Sequence, residues 1–145
     1  MVEKRNYSKQ GKRNRAAGSR FERKVRKDLE EKKFILDKWT NNIDLEKKKI
    51  VPAKRKYNPF KKAMVIGTGF PDFICIKLSK SSKKEIIGVE VKRKGYLKPE
   101  ERKKAKWYLK NNIFSKILIA KESRDKKDKR KTRIDYIDFA KKYDR

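Results

Sequence analysis

Asp72, Glu90 and Lys92 are the residues of this chain best placed to do chemistry together. Pro71-Asp72 stands just ahead of the apolar run 73–76, and Glu90 and Lys92 fall in and just after the run 86–91, where a half-buried strand would otherwise carry apolar side chains. Residues 67–92 read as two strands joined by a polar turn, with Gly67 and Gly69 giving backbone freedom ahead of the first. With the turn centred on Ser81, antiparallel pairing sets Asp72 opposite Glu90, and period-two alternation brings Lys92 to the same face. A register different by one residue sends Asp72 to the opposite face, so the chemistry demands one parity of pairing.

Two carboxylates and an amine on one patch suit a hard divalent cation, Mg2+ or Mn2+. Such ions take one or two carboxylates and leave the remaining positions to water and substrate phosphate. Lys92 would hold or help deprotonate the attacking water, its ammonium losing its proton more easily beside a metal, or would stabilise charge on the phosphate as the bond breaks. An acid followed by acid-x-lysine is a weak pattern in a chain this rich in Glu and Lys; its position at strand ends strengthens it. The plain alternative is a pair of surface acids salt-bridged to neighbouring lysines.

Composition narrows the classes. The 145 residues carry 47 Lys plus Arg against 19 Asp plus Glu, a formal charge of +28, which is most simply balanced by a polyanion such as nucleic acid. There is no histidine and a single cysteine, so zinc fingers, zinc deaminase sites, imidazole triads and intrachain disulfides are excluded. Cys75, inside an apolar run, reads as a buried thiol. No apolar stretch approaches the roughly 20 residues that span a bilayer, and the basic N-terminus is followed by no apolar segment of the signal-peptide kind. The expectation is one intracellular, cytoplasmic domain associated with DNA.

The elements that must position these residues follow from periodicity. Residues 1–17 show no apolar period and read as a mobile basic arm carrying Arg13 and Arg15. A helix is expected from Ser19, with Phe21, Val25 and Leu29 on one stripe and Arg20 and Arg23 beside it, followed by a strand near 34–39. Residues 40–66 look irregular, a basic insertion in which Trp39, Tyr57 and Phe60 mix with Lys54, Arg55, Lys56, Lys61 and Lys62. It is either a nucleic-acid surface or a solvated loop pinned by its aromatics. Pro99, Glu100 and Glu101 open a second helix that runs to about Asn111 or Asn112, and 117–120 form a strand covered on both faces. Residues 122–145 read as a charged linker and a terminal helix bearing Tyr136, Phe139, Ala140 and Tyr143, with a strand through Ile134, Tyr136 and Asp138 as the alternative. Lys94 would continue the strand face of Lys92 toward phosphate, or be merely solvated. The order is helix, three strands, helix, strand and a small addition: an α/β fold with a mixed sheet flanked by helices.

Pro71-Asp72 followed by Glu90-Val91-Lys92 resembles the PD-(D/E)XK nuclease superfamily. Gly18-Ser19-Arg20-Phe21-Glu22-Arg23 is similar to the opening helix of archaeal Holliday junction resolvases. The segments 69–72 and 88–92, continuing through Leu97 to Trp107, are similar to the virus-type replication-repair (VRR-NUC) nuclease domain. The resemblance covers residues 18–121, with 40–66 as an insertion relative to the short resolvases. It implies a restriction-endonuclease-like αβββαβ core and a divalent-metal-dependent endodeoxyribonuclease, with Asp72, Glu90 and Lys92 catalytic and Glu22 as a third acid reaching the metal from the first helix. Ser19 and Glu22 equally satisfy a capping box. Relatives often carry a glutamine near the position of Glu101, whose role is left open by that difference. Cutting a four-way junction implies a homodimer; repair and restriction nucleases share the same acids. A non-catalytic basic nucleic-acid-binding protein explains the charge equally well but leaves the strand-end acids without a purpose.

Overall fold

A computed structural model describes residues 7–60, 62–66, 69–77 and 84–143. Lys61, Gly67 and the expected turn at Ser81 lie outside the described residues, as do the side chains of Arg55 and Lys56. In chain order the elements are α1 (Tyr7–Glu31), β1 (Ile35–Lys38), β2 (Asn41–Asp44), β3 (Lys49–Pro52), β4 (Arg55–Asn58), β5 (Ala63–Ile66), β6 (Phe73–Lys77), β7 (Glu85–Val91), α2 (Pro99–Lys110), β8 (Lys116–Arg124), β9 (Thr132–Asp138) and α3 (Phe139–Tyr143).

Alternation along the central strands sorts their side chains into two layers. Phe73 and Cys75 of β6 and Ile87 and Val89 of β7 cluster with Ala120 of β8 and with Phe21, Val25 and Leu29 of α1. Residues of the other parity, Ile117 and Ile119 of β8 and Ile74 of β6, join Ala105 and Tyr108 of α2, Phe139 of α3 and Phe114. The result is an α/β sandwich, a five-stranded sheet in the order β1-β6-β7-β8-β9 with helices on its faces. The sheet is mixed: β7 and β8 run parallel through the α2 crossover, and the other neighbours are antiparallel. Set apart from the two hairpins between β1 and β6, the order is the one the periodicity predicts.

Three expectations change. Residues 7–17 are the first part of α1, not a mobile arm. Lys, Arg and Ala support helix, no proline interrupts residues 7–31, and the buried stripe nucleates turns that then propagate outward. Ser19 therefore sits in the helix interior, where it cannot cap with Glu22.

Residues 40–66 are two hairpins rather than an irregular loop. β2 pairs with β3, Ile43 opposite Ile50, and β4 pairs with β5, Tyr57 opposite Met64. Ile43 is buried in the α2-side core and anchors the first hairpin. Gly69 is required there, because a Cβ at that position would lie 2.1 Å from the Asn41 carbonyl oxygen; the Phe70 N–H donates to that same oxygen at 3.0 Å.

The expected linker contracts to the turn between β8 and β9. β8 extends to Arg124, and β9 pairs along it from Leu118↔Asp138 to Arg124↔Thr132. The last segment takes the alternative first, a strand through Ile134, Tyr136 and Asp138, and then the short α3, which carries Phe139, Ala140 and Tyr143 but not Tyr136. Phe139 is buried, and the Tyr143 hydroxyl accepts the Leu97 N–H at 3.2 Å.

Candidate active site

The β6–β7 ladder pairs Phe73 with Val89, and the next step outward sets Asp72 against Glu90, the parity the chemistry requires. The two carboxylates are interlocked with the opposing backbone. The Asp72 N–H donates to Glu90 Oε2 at 3.1 Å, and the Val91 N–H donates to Asp72 Oδ2 at 2.7 Å. On the other side the Trp39 N–H donates to the Asp72 carbonyl at 3.0 Å, so β1 fixes the same residue. Gly88 lies on this face two residues before Glu90, and a Cβ there would come within 2.8 Å of Pro71 Cγ. The missing side chain leaves room for buried Pro71, which holds Asp72 in place; the Phe70-Pro71 peptide is cis.

Lys92 lies just past the end of β7, its N–H continuing the ladder to the Ala120 carbonyl at 3.0 Å. Its Nζ is 3.8 Å from Glu90 Oε1 and 2.9 Å from Glu101 Oε2. Glu101 has two tasks: Oε1 accepts the Lys98 N–H at 2.9 Å, closing the start of α2, while Oε2 holds the ammonium. Its sequence position hinted at a place near the site, and the geometry gives it a partner there.

Burial sets the electrostatics. Asp72 is pushed up to about 6 by burial, against the Val91 N–H, with the charge of Glu22 pushing further the same way. Glu90, only 6% exposed, is held well above the usual carboxylate range by burial and by the Asp72 charge, against the pull of Lys92. Burial alone would lower Lys92, but its bond to Glu101 and the charge of Glu90 outweigh this and hold it above the usual lysine value. Acids rather than cations surround Lys92, which favours the charged ammonium. Buried Glu90 and half-buried Asp72 facing one ammonium form a site short of positive charge, and a divalent cation with oxygen preference fits that donor set.

Glu22 comes from the other side of the sheet. α1 packs on the layer of Phe73 and Val89, the parity opposite to Asp72 and Glu90. Glu22 lines a cleft with Ser19, Arg23, Arg26, Lys38 and Phe73. It is close enough to raise Asp72 but does not complete a ligand set, and among the described residues no cluster of three or more His, Cys, Asp or Glu is arranged to hold a metal.

The basic residues spread over several surfaces. Arg13, Arg15, Arg20 and Arg23 are exposed along α1, and Lys54 and Lys62 are exposed in the hairpins. Lys94 does not continue the face of Lys92. The chain turns after β7, the Gly95 N–H donating to the Lys92 carbonyl at 2.8 Å, and Lys94 lines a hollow with Arg93, Glu122 and Arg124. The aromatics divide as well. Trp39 is a core pin, donating its indole N–H to the Tyr108 hydroxyl at 3.0 Å and meeting Phe114 edge-on at 5.2 Å, whereas Tyr57 and Phe60 are exposed. Trp107, read from sequence only as a helix continuation, lines a lysine-rimmed groove; its helical spacing from Lys103, Lys106 and Lys110 was the available signal.

No helix among the described residues is long and apolar enough to cross a membrane. Comparison with protein-family models, curated proteins and solved structures finds no match to the chain.

Proposed function

We propose that the chain is a divalent-metal-dependent DNA endonuclease of the PD-(D/E)XK kind, selective for branched DNA and acting as a homodimer. The observation that carries this reading is the interlocked Asp72–Glu90 pair, with Lys92 held 3.8 Å from Glu90. A buried acid pressed against a half-buried one is costly unless a cation offsets them, and a protein of charge +28 has little other reason to keep them together. Bound between them, Mg2+ or Mn2+ would supply the charge that draws a phosphodiester and a water together. Asp72 and Glu90 bind and orient; Lys92, kept charged by Glu101, offers its ammonium to the phosphate as negative charge develops. Glu22 acts on the site through its field at Asp72. The arginines of α1 and the hairpin lysines bind the backbone of the DNA.

The test is cleavage of labelled linear, flap and four-way junction DNA with Mg2+ or Mn2+, comparing wild type with Asp72→Ala and Lys92→Ala. The expected result is junction cutting by wild type, with cutting lost and binding kept in both variants. A second reading, a basic nucleic-acid-binding protein without catalysis, is favoured by the incomplete acid cluster among the described residues; wild type that cuts no substrate establishes it. Binding weakens steeply with salt under either reading and does not separate them. A protein that stays monomeric on junction DNA removes the resolvase assignment and leaves nuclease standing.

A further inference from the structure

A groove between the β2–β3 hairpin and α2 has an apolar floor and a basic rim. Leu45 and Trp107 form the floor, both half-buried against the core; Lys48, Lys103, Lys106 and Lys110 stand around it, and Glu46 is the single acid. Lys103, Lys106, Trp107 and Lys110 are spaced three, four and seven apart, so one face of α2 carries them all. All four lysines are exposed, and none has an ion pair among the described residues, unlike Lys104 on the same helix, which pairs with Glu100. Four unpaired like charges around an indole repel one another and gain when a polyanion enters. The Trp107 indole N–H has no hydrogen-bond partner among the described residues, and the aromatic ring it meets there is Tyr108, edge-on at 6.0 Å.

We propose that this groove binds an unpaired stretch of DNA, one base stacking on Trp107 while Lys48, Lys103, Lys106 and Lys110 take the flanking phosphates. Single-stranded rather than duplex DNA fits, because a ring at the bottom of a groove is met by the face of a base only when that base has left its own stack. Choosing DNA over RNA rests on the nuclease reading. Trp107 follows Glu101 by six residues on α2, about 9 Å along the axis and about 120° around it, so the groove opens on a different face of the helix from the one that meets Lys92.

The test is binding of labelled oligo(dT) and of a duplex of equal length, measured by anisotropy in chelator so that no cutting is involved. Wild type is compared with Trp107→Ala, with Trp107→Phe, which keeps an aromatic ring there, with the triple variant Lys103→Ala/Lys106→Ala/Lys110→Ala, and with a control triple, Lys126→Ala/Lys127→Ala/Lys129→Ala, on the β8–β9 turn, which does not line the groove. Trp107→Ala should weaken oligo(dT) at least roughly fivefold and duplex far less. Trp107→Phe should lie between, and the groove triple should cost oligo(dT) more than the control does. Equal losses for the two triples, or Trp107→Phe and Trp107→Ala both binding oligo(dT) like wild type, overturn the proposal; tighter binding of oligo(U) than oligo(dT) overturns the choice of DNA. Cleavage with Mg2+ is scored separately. Trp107-sensitive binding without cleavage retires the nuclease and keeps the groove, and cleavage with Trp107-insensitive binding does the reverse.

Discussion

Asp72 and Glu90 set two carboxylates against one another, each raised by burial and by neighbouring negative charge. In the chelated protein both carboxyls are raised, so between the ordinary carboxylate value and about 6 the native state holds more protons than the unfolded chain. Stability from this pair therefore falls as pH rises through that window. Glu90→Gln should raise the melting temperature in chelator at about pH 8 by several degrees and change it little near pH 4, where the pair is already protonated. A variant destabilised equally at both pH values would contradict the electrostatic account. Asp28 runs the other way: burial raises it, but the Tyr136 hydroxyl at 2.6 Å and Lys32 outweigh that and leave it lowered. Its contribution is present at neutral pH and lost as pH falls through the native value. The facing acids were legible in the sequence because strand alternation is rigid, and one register makes or breaks the pair. Glu22 was not, because the side of the sheet a helix covers is decided by packing between layers, and no local period reports it.

At the scale of elements, charge hides structure. β9 reads TRIDYID, and its hydrophobic alternation is diluted by the charged and polar residues that an edge strand carries against unwanted pairing. The helical spacing of Tyr136, Phe139, Ala140 and Tyr143 competed with that alternation, so the strand stood only as an alternative, and the same dilution made the two hairpins look like a loop. The striped part of α1 from Ser19, α2, β6, β7 and the apolar first half of β8 were legible because their apolar periods are intact. α1 carries its own weakness: Gly11 and Gly18 lie in the helix with nothing within 4 Å of where a Cβ would stand. Gly18→Ala should stabilise by roughly 0.5–1 kcal/mol in denaturant titration. Gly69→Ala should do the opposite, because its methyl would run into the Asn41 backbone, which cannot move without unseating the first hairpin. A loss of roughly 3 kcal/mol or more is expected; a neutral result would mean that the hairpin docks loosely.

For the whole molecule, the excess of positive charge sets two opposed responses to salt. Screening relieves self-repulsion in the native state, so the melting temperature of the free protein should rise between low salt and about 0.5 M NaCl, while affinity for any polyanion falls over the same range. A melting temperature that falls with salt would show that attractive pairs such as Arg93–Glu122, at 2.8 Å, outweigh the repulsion. The two cores share only the sheet, and the single cysteine lies in one of them. Cys75 is 1% exposed in the layer between β6 and α1, with its thiol pushed by burial up to about 12. A thiol reagent can reach it only when α1 lifts away. The rate of its labelling is thus a clock for opening of that one layer, readable without an engineered cysteine.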